Sequence, residues 1–141
     1  MTASEANTDP RTGLVGLSEA ECWSLLGQSQ VGRLAVTDGH QPDIFPVNYV
    51  VDGQRIVVRT GPGTKLAAAV ITGLAAFEVD AIDDSQHTGW SVVVHGSVAE
   101  VHDLDDVLAA TDMGIEPWAD GEKSRFITIT PGDISGRRIP G

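Results

Sequence analysis

Residues 42–66, PDIFPVNYVVDGQRIVVRTGPGTKL (Pro42 to Leu66), decide how the rest of the chain is read. Two apolar, β-branched runs meet at Asp52-Gly53, a pair suited to a type I′ hairpin turn in which both central residues take positive φ. The second run, Gln54 to Thr60, ends in Arg59 and Thr60, and a Gly61-Pro62-Gly63 loop follows. Thr64 is a good helix N-cap, and Lys65 to Ile71 reads as a short Ala-rich helix ending at Gly73. Arg59, Lys65, Thr60, Thr64 and the helix's unpaired N–H groups can converge in one small volume, as in a phosphate seat. The same residues also suit a plain turn flanked by solvated charges.

Charge sharpens the contrast. The 141-residue chain carries 20 Asp and Glu against 9 Lys and Arg, net −11, yet Gly53 to Phe77 holds no acidic residue. Arg55, Arg59 and Lys65 all lie in that segment, so an anion is the expected guest there. The acidic balance elsewhere argues against general nucleic-acid binding, which needs a basic footprint, and against anionic membranes.

Hydrophobic residues make up 41% and charged residues 21%, a globular composition of one-domain length. No apolar run approaches the ~20 residues that cross a bilayer. The polar, acidic start MTASEANTDPRTG is unlike a secretory signal and reads as a disordered leader over residues 1–13, before a single domain over 14–141. A single cysteine, Cys22, precludes an internal disulfide and suits a reducing cytoplasm, so the chain is expected to be cytoplasmic.

From the N-terminus, Leu17-Ser18-Glu19-Ala20-Glu21-Cys22 is a capping box with a hydrophobic staple, opening a helix that stops near Gly27 to Ser29. Strands are expected over 31–37, 44–51, 54–60, 74–82, 90–101 and 125–130, with a last short one over 134–139. Pro46 interrupts the second of these, either as a bulge that frees backbone groups at Val47, Asn48 and Tyr49 or as edge protection. Gly96 marks a bend or bulge, and Asp103 caps a helix running to Met113. Hairpin-connected strands with short helices predict a mainly β, α+β fold: a six-stranded antiparallel split β-barrel with flanking helices.

Several chemistries lack their residues. His40, His87, His95 and His102 are scattered, and with one cysteine they make no zinc site. No nucleophile elbow supports a hydrolase triad, the glycine spacing before Lys65 is too short for a P-loop, and no dinucleotide fingerprint is present.

The opening helix LSEAECWSLLGQSQVGRLAV, the core PVNYVVDGQRIVVRTGPGTKL, the strand GWSVVVHGSVAEV and the closing RFITITPGDISGRRI together resemble the pyridoxamine 5′-phosphate oxidase-like FMN-binding split-barrel family. The short actinobacterial and nitroimidazole-reductase-like branch is the nearer likeness, and it covers Leu17 to about Ile139. The resemblance implies a homodimer with the flavin in a groove between subunits, acting as an oxidoreductase on a small molecule. Carried over, Arg59, Thr60, Thr64 and Lys65 hold the FMN phosphate. Val47, Asn48 and Tyr49 edge the isoalloxazine, and Trp90 and Ser91 approach from the partner subunit. Trp118 is a candidate cover for the ring, or a packing residue.

No catalytic acid or base stands out. The vitamin-B6 oxidase of the family has a longer C-terminal region with Arg and His residues for its substrate's phosphate, which this chain lacks. A deazaflavin in place of FMN, or a flavin-binding protein for stress protection without turnover, are the alternative readings.

Overall fold

In the computed structural model, residues 7–63, 69–119, 121 and 125–141 are described. The elements in chain order are β1 (Val15–Gly16), α1 (Glu19–Leu26), β2 (Val31–Asp38), β3 (Gln41–Asp52), β4 (Arg55–Thr60), β5 (Leu74–Asp83), β6 (Thr88–Glu100), α2 (Leu104–Asp112) and β7 (Arg125–Ile139). All strand pairs are antiparallel, in the order β7-β4-β3-β2-β5-β6, and β6 pairs back onto β7 to close the ring. β1 adds to the end of β7. This is the expected six-stranded barrel, and it solves the edge problem of a small sheet by closure.

The closure rests on a merger that the sequence disguises. Pro131-Gly132 reads as a break between two strands, but β7 runs through it as one element. A bulge absorbs the proline: His95 faces Asp133 and Gly96 faces Pro131, with Gly132 as the extra residue. Gly96 is required there, since a Cβ on it would lie 2.5 Å from the Thr130 carbonyl oxygen.

The hairpin turn also differs from expectation by one residue. Asp52 pairs with Arg55, so the loop is Gly53-Gln54. Gly53 has φ 63°, while His87 is the one non-glycine residue at positive φ among those described. A glycine alone at the first loop position is the II′ arrangement rather than I′. Pro46, in turn, makes no bulge: β2 and β3 pair without a shift from Val31↔Asn48 to Asp38↔Gln41. It sits beyond the last β3–β4 pair, Asn48↔Arg59, where its missing N–H costs no bond to β4.

Inward side chains fill the barrel, among them Leu34, Tyr49, Ile56, Phe77, Val94 and Ile127. α1 plugs one end with Cys22 and Leu26, both fully buried. Its start is the expected capping box, with the Glu21 N–H donating to Ser18 Oγ and the Ser18 N–H to Glu21 Oε1. α2 covers the outside of the sheet instead, where Val57, Ala110, Ile115 and Phe126 form a second, smaller core.

Residues 69–72 are helical and end as expected at Gly73, whose φ is 72° and whose N–H bonds Ala69 O. The leader starts outside the described residues, and Asn7 to Gly13 form a turn. Asp9 organises it, with its carboxylate accepting from the Arg11 N–H and its carbonyl from the Gly13 N–H. Among the described residues no helix is long and apolar enough to cross a membrane.

Candidate functional site

At the point where β4 stops, three strands present a lateral row. Arg59 stands directly opposite Asn48 on β3 and Phe126 on β7, and Thr60 stands opposite Arg125. Alternation sets the faces: Val58 points into the barrel, so Arg59 and Asn48 point outward. The Arg59 guanidinium lies 5.7 Å from the Phe126 ring centroid, a cation–π distance. Phe126 is itself buried under α2, which fixes the platform.

The segment after α2 crosses this row as a strap. Arg59 Nη1 donates to the Ile115 carbonyl oxygen at 2.9 Å, and Ile115 is buried in the second core. Three residues on, the Trp118 N–H donates to Asn48 Oδ1 at 3.0 Å. Pro117 stiffens the stretch between them by fixing its φ. The strap thus sets Trp118 beside Asn48, and 67% of that residue is exposed. An exposed indole held by its backbone is a surface for a planar, apolar-faced guest.

The sequence-predicted residues divide into four groups. Arg59, Asn48 and Trp118 come together on the outer face at the strand end, while Thr60, next along β4, turns to the other face with its hydroxyl on the Gly61 carbonyl oxygen at 3.3 Å. Thr64 and Lys65, the other half of the expected phosphate seat, lie outside the described residues.

Val47 and Tyr49 turn their side chains into the barrel. The Tyr49 hydroxyl donates to the Leu26 carbonyl oxygen, its ring packs edge-on against Phe77, and its backbone N–H bonds Gln30 O. Burial pushes the Tyr49 phenol up to about 12. The Tyr49 side chain is therefore a core group tying α1 to β3, and at Val47 only the backbone can border the outer site.

Trp90 and Ser91 are elsewhere. They pair with Arg138 and Arg137, toward the opposite end of β7 from Phe126, and Trp90 packs half-buried on the barrel core. Within one chain they do not meet Arg59.

Arg55, counted as part of the basic segment, pairs across the hairpin with Asp52, Nη2 to Oδ2 at 2.8 Å, and is neutralised there. Arg125 lies beside this corner but on the other face of the sheet from Arg59, a placement the sequence does not reveal. It becomes Thr60's neighbour through the β4–β7 pairing, with its Nη1 3.6 Å from Glu100 Oε1. Antiparallel register between distant strands leaves no local mark in the sequence.

A separate ionic cluster lies on the outer face of β2 and β5. Arg33 Nη1 is 3.3 Å from Glu78 Oε1 and 3.4 Å from Asp80 Oδ2. Desolvation, with the Asp80 carboxylate alongside, pushes the Glu78 carboxyl up to about 7. Among the described residues, no group of three or more His, Cys, Asp or Glu is placed to hold a metal ion.

Comparison with known proteins places this geometry. Residues 18–138 match the family described as pyridoxamine 5′-phosphate oxidase. The Mycobacterium tuberculosis protein Rv0080 is 34% identical over 131 residues, covering 89% of this chain and 86% of the relative. An FAD binding protein from Mycobacterium smegmatis is 35% identical, with TM-score 0.74 over 89% of this chain and 98% of that one. A FAD-binding protein from Mesorhizobium loti is 26% identical, with TM-score 0.78 over 90% and 99%. By its match over nearly the whole barrel, the chain belongs to the pyridoxamine 5′-phosphate oxidase family and has that family's split-barrel fold.

Proposed function

We propose that this chain binds a flavin, FMN in the first reading, and serves as an oxidoreductase for a small molecule in the cytoplasm. The observation that carries the reading is the convergence of Arg59, Asn48 and Trp118 where β4 gives way to the 61–63 loop. A permanent cation, an amide and an exposed indole are the three elements a phosphate-bearing, planar heterocycle needs. The residues present fit the group. Arg59 and Thr60, with Thr64 and Lys65 after the loop, would hold the phosphate. Asn48 and the backbone at Val47 would border the ring, and Trp118 would cover it.

A bound flavin supplies the two-electron redox chemistry, and the protein supplies orientation and electrostatics. Arg59 brings a charge that does not titrate, and Trp118 sheds water from one face of the guest. Among the described residues no side chain at this corner is placed to act as an obligatory acid or base.

Trp90 and Ser91 belong to the site only if a second copy delivers them, since in one chain they lie toward the far end of β7. A homodimer with the flavin at its interface is the assembly in which they would reach it.

FAD is the second reading, favoured by the names of the M. smegmatis and M. loti relatives. The same corner would then take the phosphate proximal to the ring, leaving the adenylate outside it. Purifying the chain without added cofactor and identifying the released chromophore separates FMN, FAD and deazaflavin. Reduction by NAD(P)H and re-oxidation by acceptors separates an oxidoreductase from a flavin-binding protein of protective duty. A chain that neither carries nor takes up any of the three overturns the reading.

A further inference from the structure

We infer that Asn48 is a polarity-selecting residue: the strap engages its amide oxygen and fixes the amide so that its free Nδ2–H donors are what it turns to a ligand. The ligand half of this inference rests on the flavin reading above; the lock itself does not.

The lock follows from what each atom can do. A backbone N–H only donates, so the Asn48 atom that meets Trp118 N at 3.0 Å must be the amide oxygen. The amide is planar, so Nδ2 points along its other limb. Among the described residues no acceptor meets that nitrogen. The strap cannot easily rotate away, because Arg59 Nη1 holds the Ile115 carbonyl at 2.9 Å and Ile115 is 5% exposed. Arg59 and Asn48 are also a directly opposed cross-strand pair, so both ends of the strap are referred to one rigid point of the sheet.

Nδ2 has two N–H groups and no lone pair to share. An isoalloxazine presents carbonyl oxygens at C2 and C4 and acceptor nitrogens at N1 and N5, against a single N–H donor at N3. Nδ2 therefore faces one of the acceptor positions rather than N3. The same two hydrogen bonds make Asn48 and Arg59 positioning residues for Trp118, independent of any phosphate contact by Arg59.

Two substitutions separate the roles. Asn48→Asp keeps an oxygen for the Trp118 N–H but removes both donors, whereas Asn48→Ala removes both functions. In the flavin-free protein, hydrogen exchange of the Trp118 amide is expected to be protected in the wild type and in Asn48→Asp. In Asn48→Ala it should speed up by about tenfold, the value of one such bond. Riboflavin, which has no phosphate, then reports on the ring alone through fluorescence quenching. Its affinity should fall by about tenfold or more in Asn48→Asp although the lock is intact.

Equal amide exchange in wild type and Asn48→Ala overturns the lock. Undiminished riboflavin affinity in Asn48→Asp, with the amide still protected, overturns the donor assignment. A wild-type chain that binds neither riboflavin nor FMN nor FAD removes the flavin reading and the donor assignment with it, while exchange still decides the lock.

Discussion

Arg59 and Glu78 are both half-buried charges on the outside of the barrel, yet their surroundings give them opposite fates. Arg59 keeps its charge and meets an aromatic face and a carbonyl. Replacing Arg59 or Lys65 by Ala is expected to weaken FMN binding by about tenfold or more, since a charge-assisted hydrogen bond contributes ~1.5–3 kcal/mol. Fluorescence titration checks this, and unchanged affinity in both variants removes the phosphate assignment. Glu78 is held protonated to about 7 by desolvation and by Asp80, against an ordinary value of 4.5. The folded state therefore binds more protons than the unfolded state between those values, and stability falls as pH rises through that window. Glu78→Gln should abolish this fall, so urea midpoints of the two proteins should diverge from pH 5 to pH 8, the variant being relatively more stable at the upper end. Parallel midpoints across that range would mean that Glu78 titrates normally.

At the scale of the elements, the devices that start, bend and plug the barrel are separable. The Ser18 cap satisfies the Glu21 N–H of α1, so Ser18→Ala is expected to cost about 1 kcal/mol in denaturant unfolding. Gly96 belongs to the bulge that lets β7 run on past Pro131. A methyl there would press on the Thr130 carbonyl at 2.5 Å, so Gly96→Ala should destabilise by roughly 1–3 kcal/mol as an overpacked site. A thermal midpoint equal to wild type would show that the two strands yield more readily than this contact allows. Tyr49 and α1 form a third device, in which the phenol reaches the helix's last turn at Leu26. The strap after α2 is a fourth, and it belongs to the site rather than to the barrel. Its anchors are one apolar side chain and two hydrogen bonds, so it can be loosened without unfolding the sheet.

For the whole molecule, the placement of Trp90 and Ser91 far from Arg59 makes assembly the decisive variable. Sedimentation at micromolar concentration is expected to give twice the 14.8 kDa chain mass, and a monomer would remove both residues from the site. Much of this architecture was open to reading from composition and pattern. Alternating runs such as RFITIT marked strands, the Asp52-Gly53 pair marked a hairpin, and Leu17 to Cys22 spelled out a capping box, because each is enforced by backbone sterics or hydrogen bonds within a few residues. The acid-free stretch from Gly53 to Phe77 singled out Arg59 and Lys65 as expected anion contacts by charge alone. Only the folded chain could show that Arg125 neighbours Thr60, that the Tyr49 hydroxyl is spent on Leu26, and that Trp118 is tethered to Asn48. Those facts depend on which distant strand closes the ring and in what register. That choice is made by the summed burial of the whole core, and no short stretch of sequence carries it.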